Sequence, residues 1–252
     1  MHSVIEHYAN KLASAVDRVL PKLSRDYLRS GYTGLEGLDK KLITHIKPQA
    51  GGYFVELGAN DGLRQSNTYK LQKSFGWTGL LIEPSPRQFV ECIKNRSFGT
   101  TPEIRCAACV PFGYEYKFVE MEESDLMAVA KGLWLSNEMA VAHAELGQQF
   151  LEDHRLRFQY GALARTLTSL LDEVNAPCNF QLLSLDVEGN EISVLQGLDF
   201  TRYSPKWILV EVYSDDVENF LVEFGFKQVA VLSDRGMYRD LLFQHQSLAI
   251  RT

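Results

Sequence analysis

The chain has 252 residues, 45% of them apolar and 23% charged, with 26 basic against 32 acidic side chains and a formal net charge of −6. That size and balance describe a soluble globular domain that buries roughly 70 to 75% of its unfolded surface without needing disulfides or a structural metal. The acidic balance argues against a broad nucleic-acid surface, and no apolar run approaches the roughly 20 residues that a membrane-spanning helix requires.

Residues 1–50 carry helical signals and are expected to form a cap. Val4, Ile5, Tyr8, Leu12, Ala15, Val16 and Val19 recur at three and four spacing until Pro21. Glu6, Lys11, Asp17 and Arg18 interrupt this stretch, so it lacks the apolar block of a secretory signal and a cytoplasmic location is expected. Four cysteines fit that compartment. A second helix over Leu35, Leu38, Leu42, Ile43 and Ile46 ends before Pro48 and Gly51-Gly52. Exposed apolar faces here would favour a homodimer.

From residue 51 to 252 short apolar runs alternate with amphipathic stretches, the rhythm of an α/β Rossmann-like domain. Strands are expected at Tyr53–Leu57, Thr78–Ile82, Glu103–Ala107, Phe180–Leu185, Lys206–Val212, Lys227–Leu232 and Gly236–Phe243. Helices are expected at Ser66–Phe75, Pro86–Asn95, Leu167–Asn175, Glu191–Leu198 and Asp215–Phe224. Ser233-Asp234-Arg235 is too short for a crossover, so the mostly parallel seven-stranded sheet should close with an antiparallel hairpin. Between Cys109 and Arg165 the rhythm fails. An insertion after the third strand, with strand-like Tyr114–Val119 and helical Asn137–Asp153, would overhang the carboxyl edge of the sheet, as a substrate lid or as a structural elaboration.

Two motifs point to a ligand. Glu56-Leu57-Gly58-Ala59-Asn60-Asp61-Gly62 runs a strand into a glycine turn that could bring main-chain N–H groups against a ligand, with Glu56 suiting a positive amino group better than a pyrophosphate. Glu83, followed by Pro84, closes the second strand about 20 residues on, where a carboxylate can accept ribose hydroxyls. No G-x-G-x-x-G is present, against a nicotinamide dehydrogenase. Cys106 and Cys109 form a single C-x-x-C, too little for a zinc site.

With Ser66-Asn67-Thr68, Gly76-Trp77-Thr78-Gly79, Ile82-Glu83-Pro84, Asp186-Val187-Glu188-Gly189-Asn190-Glu191, Val194-Leu195-Gln196-Gly197 and Ile208-Leu209-Val210-Glu211, these motifs make the chain resemble the FkbM family of S-adenosylmethionine-dependent methyltransferases. The resemblance covers roughly Gly51 to Val212 without the insertion, and implies the class I Rossmann-like fold. The family often has Lys where this chain has Ser184.

The resemblance implies that Glu56, Gly58, Asn60 and Gly62 surround the methionine part of S-adenosylmethionine, with Asp61 ordering the turn and Ala59, Asn67 and Pro84 as further cofactor contacts. Glu83 would take the ribose, Cys106 and Ala107 the adenine, and Asp186 would lie beside the sulfonium carbon. Asp186 and Glu188 are the expected catalytic residues, and Glu191 the cap of the next helix. Asp186 and Glu211 are the expected ligands should Mg2+ assist. Tyr213 and Ser214 are candidate lining residues, and His143, His154 and His245 candidate bases. The implied activity is O-methylation of a sugar, glycan or secondary metabolite. The competing expectation is a non-catalytic Rossmann-like binding or partner module.

Overall fold

The structure, a computed structural model, describes residues 30–123, 129–130 and 158–248. The first expected helix, the Asn137–Asp153 helix, His143 and His154 lie outside these residues. Among the described residues no helix is long and apolar enough to cross a membrane.

The core is a seven-stranded sheet. Its strands are β1 (Tyr53–Leu57), β2 (Thr78–Ile82), β3 (Glu103–Arg105), β8 (Leu182–Leu185), β9 (Trp207–Val212), β10 (Phe226–Asp234) and β11 (Arg239–His245). Across the sheet they run β3-β2-β1-β8-β9-β11-β10, and only β11 is antiparallel to its neighbours. This is the expected Rossmann-like α/β sheet with its C-terminal hairpin. Strand order reverses between β1 and β8, so the loops at their carboxyl ends diverge and leave a crevice, the place where such sheets bind ligands.

Both faces of the sheet are covered, which is why its strands read as nearly continuous apolar runs. On one face Val55, Leu57, Leu183, Leu185, Ile208 and Val210 pack with residues of α4 (Leu167–Glu173), α5 (Glu191–Leu195) and α6 (Asp216–Glu223). On the other, Phe54, Leu81, Leu182 and Leu209 pack with Leu38 and Leu42 of α1 (Leu38–Ile46), Leu71 of α2 (Tyr69–Phe75) and Cys92 of α3 (Pro86–Arg96). The alternation is the period-2 geometry of a strand.

The insertion builds a second sheet, ordered β4-β7-β5-β6, from β4 (Ala108–Cys109), β5 (Phe118–Glu123), β6 (Val129–Ala130) and β7 (Phe158–Arg165). Its strand β5 begins later than the expected Tyr114–Val119. β7 escaped the periodicity because Phe158 and Leu163 are exposed whereas the small Ala162 is buried, an inversion of the usual pattern. The expected helix from Ser66 starts only at Tyr69, because Ser66, Asn67 and Thr68 are spent on a buried carboxylate.

Candidate functional site

Register places Leu81, Glu56, Ser184 and Leu209 in one row across the sheet. Two residues further along each strand come Glu83, Gly58, Asp186 and Glu211, with Asp240 of β11 opposite Glu211. The carboxyl edge of the sheet thus gathers an acid from each of β2, β8, β9 and β11 around one glycine. Gly58 has φ of 72°, and a Cβ there would stand 1.9 Å from the Asp186 carbonyl oxygen, so any side chain would wedge β1 from β8.

The glycine turn departs from its expected use. Gly58 and Ala59 donate their N–H groups to the Ile82 carbonyl at 3.1 and 3.2 Å, and Gly62 donates to the Ala59 carbonyl at 2.8 Å. Asn60 N–H, at a residue with φ of 49°, goes to Glu83 Oε2 at 2.7 Å. Asp61 Oδ1 accepts from Leu63 and Arg64 N–H, which orders the turn as expected. These donors are consumed within the protein because consecutive buried amides must be satisfied locally. What the turn leaves over is of the opposite kind: Asn60 Oδ1 and Asn67 Oδ1 are buried acceptors with no partner. Gly62 serves packing, since a Cβ there would meet Cys92 Sγ at 2.7 Å and Arg96 Cγ at 2.8 Å.

Glu56 is buried and saturated. Its carboxylate accepts from Ser66 Oγ, from Asn67 N–H at 2.8 Å and from Thr68 Oγ1 at 2.6 Å, and the fully buried Arg96 guanidinium lies 3.6 Å away. Arg96 in turn donates to Gln72 Oε1, the Gly62 carbonyl, Ser66 Oγ and Thr68 Oγ1. Glu56 and Arg96 therefore pin the 62–68 loop as a paired, fully hydrogen-bonded ion couple. Asn67 is held by its Nδ2, which donates to Ser184 Oγ at 3.2 Å. Arg96 was missed in the sequence; the triplet Ser66-Asn67-Thr68 was its available signal.

Glu83 is buried with Oε1 accepting from Ser85 N–H at 2.8 Å and Oε2 from Asn60 N–H. Cys106 Sγ lies against the Pro84 carbonyl, Ala107 is buried, and burial with the nearby Glu83 raises the Cys106 thiol. Burial also pushes Cys109 up to about 12, so both thiols of the C-x-x-C stay protonated.

Asp186 keeps an exposed surface while protein surrounds it, as a side chain does on a cleft wall, and its carboxyl is raised well above the usual range by burial and by Glu211 and Glu188. Glu211, buried, is raised to about 8 by desolvation and by Glu188, against the Tyr213 hydroxyl that donates to its Oε1 at 2.6 Å. Tyr213 Oη also lies 3.4 Å from Glu188 Oε2, and its ring is 5.6 Å from that of Tyr238. Glu188 has φ of 56°, in the left-handed region. Glu191 stands in the first turn of α5 as expected, and also accepts from Val187 and Gly189 N–H at 3.1 Å, tying up that strained turn, with burial raising it to about 7.

Other candidates fall away from this cluster. Ser214 Oγ donates to Asp216 on the exposed surface. His245 ends the antiparallel β11, so it sits at the opposite edge of the sheet, where its N–H reaches the Lys206 carbonyl. Among the described residues no group of three or more His, Cys, Asp or Glu side chains is arranged to hold a metal ion; Asp186 and Glu211 offer Mg2+ two carboxylates. No step below runs through a metal.

Residues 56–228 match the model of the methyltransferase FkbM domain. No curated protein matches the chain. Among solved structures, magnesium protoporphyrin IX methyltransferase (ChlM) from Synechocystis PCC 6803, with bound S-adenosylmethionine, is 9% identical at a TM-score of 0.45, over 82% of this chain and 78% of that one. Methyltransferase FkbM from Methylobacillus flagellatus KT is 11% identical at a TM-score of 0.45, over 77% of this chain and 43% of that one. M. capricolum TrmK, in complex with S-adenosylhomocysteine, is 8% identical at a TM-score of 0.42, over 82% and 68%.

Proposed function

The chain belongs to the FkbM methyltransferase domain family, and on that premise we propose that it uses S-adenosylmethionine to methylate a hydroxyl of a sugar, glycan or secondary metabolite. The observation that carries the cofactor assignment is chemical. At the β1/β8 crevice the amides of Gly58, Ala59 and Asn60 are spent, while two buried amide oxygens lack partners and four strand-end acids lie alongside. Such a site suits a ligand carrying an ammonium and a sulfonium, and offers little to a phosphate.

On this reading Asn60 and Asn67 Oδ1 receive the ammonium, and Glu83, held at the end of β2 beside the Asn60 and Ser85 N–H groups, takes the ribose hydroxyls. Glu56 acts from behind, holding Asn67 through its backbone. Pro84, Cys106 and Ala107 border the adenine side. Bound S-adenosylmethionine supplies an electrophilic methyl group. The acceptor hydroxyl forms the new C–O bond as the C–S bond breaks, and its proton passes to Asp186, on the cleft wall. Tyr213 and Glu188 face the acceptor side. Burial and the neighbouring Glu211 and Glu188 raise the proton affinity of the Asp186 carboxylate, which strengthens it as an acceptor for that proton, with positioning contributing the rest. Acceptance of polyhydroxylated compounds and a cytoplasmic setting, in keeping with four unpaired cysteines, complete the proposal.

Calorimetric titration with S-adenosylhomocysteine tests it. Wild type should bind, and Glu83→Gln should bind about tenfold more weakly. Absence of binding by wild type overturns the cofactor assignment; equal binding by the variant removes Glu83 from the ribose.

A further inference from the structure

Asn67 is positioned from a second direction that lies outside the family match. We infer that the segment leading into α1, residues 30–37, closed by Asp39 of the helix's first turn, is a strap that fixes the Ser66–Thr68 turn of the proposed cofactor pocket, with Thr33 as its positioning residue. The inference rests on the cofactor reading above.

The strap is folded on itself before it touches the turn. Asp39, fully buried, accepts the Thr33 N–H on Oδ2 at 2.6 Å and the Lys40 N–H on Oδ1 at 2.8 Å. At Gly34 a Cβ would stand 2.5 Å from the Asp39 nitrogen, so the loop closes tightly. That closure presents the Thr33 hydroxyl, which donates to the Ser66 carbonyl at 2.7 Å in a buried bond. A second tie flanks the turn: Lys70 Nζ donates to the Ser30 carbonyl and lies 4.6 Å from the Tyr32 ring centroid.

From Ser66 the path to the pocket is one residue long. Ser66 Oγ and Asn67 N–H bind Glu56, and Asn67 carries the unpartnered Oδ1. Holding the Ser66 carbonyl thus sets the peptide plane that precedes Asn67. α1 also has attachments away from the turn: Leu38 and Leu42 enter the core, and Lys41 Nζ donates to the Leu232 carbonyl at 2.9 Å. An anchoring residue that does not touch the ligand still governs affinity when it preorganises one that does.

The test is titration of the full chain with S-adenosylhomocysteine. Thr33→Val keeps the shape and removes the donor, and should weaken binding about tenfold; Thr33→Ser should restore it to within about twofold. Lys41→Met loosens α1 away from the turn, and should lower Tm while leaving Kd unchanged. Should Thr33→Val fail to fold, Thr33→Ala makes the same test. Wild-type affinity in a Thr33 variant lacking the hydroxyl overturns the strap, as does an equal loss of affinity in Lys41→Met. Absence of binding by wild type itself overturns the cofactor reading, and the strap's role with it.

Discussion

Glu191→Gln isolates what the acidic edge of the sheet does to stability. Glu191 is 2% exposed, and burial raises its carboxyl from an ordinary 4.5 to about 7. At 1.36 kcal/mol per pKa unit this amounts to about 3 kcal/mol. The folded chain holds that proton more tightly than the unfolded chain, so stability falls as pH rises from about 4.5, and the loss is complete once pH passes about 7. Glutamine keeps the oxygen that accepts from Val187 and Gly189 N–H, removes the titration, and introduces an amide donor that costs about 1 kcal/mol if it finds no partner. The variant should therefore match wild type or fall about 1 kcal/mol below it at pH 5, and exceed it by about 2 kcal/mol at pH 9. Urea unfolding at pH 5, 7 and 9, followed by tryptophan fluorescence, measures the difference; the neighbouring acids titrate in both proteins and largely cancel. A variant less stable than wild type at pH 9, or a difference independent of pH, would refute the argument that Glu191 ionises at a cost.

Gly58→Ala should destabilise the fold by about 3 kcal/mol or more, since its Cβ would collide with the Asp186 carbonyl at 1.9 Å. Gly113→Ala, at φ of 84° with nothing within 4 Å, should cost only about 1 kcal/mol, and the two Tm values compare them directly. Arg96→Met should cost about 3 to 5 kcal/mol by leaving the Glu56 carboxylate buried without its cation, and the added change Glu56→Gln should recover part of it in urea unfolding. Asp186→Asn should reduce methyl transfer at least 100-fold at saturating acceptor while changing S-adenosylhomocysteine affinity by less than about threefold; retained turnover removes Asp186 from proton transfer.

Much of this site could be read along the chain. Glu83, Asp186 and Glu211 each end an apolar run, and a place at the C-terminal end of parallel strands sends them to the carboxyl edge of the sheet. Gly58 declared a backbone constraint, and Asp61 a turn. The unread part involves partners distant in sequence. Nothing local to Glu56 or Arg96 says that they neutralise each other, nor does the Thr33 hydroxyl announce the Ser66 carbonyl. Asp240 sits in an apolar strand whose pairing with β10 is broken by two bulges, so its place opposite Glu211 follows only from the assembled register.

By itself, then, the amino-acid sequence determined the α/β class, the strand-end acids and the family resemblance, because periodicity and motif spacing are local properties. Tertiary structure decided which polar groups remained uncommitted. It turned the glycine turn from a donor cradle into a source of acceptors and Glu56 from a ligand contact into a buried anchor, since hydrogen-bond satisfaction is settled only when distant segments meet.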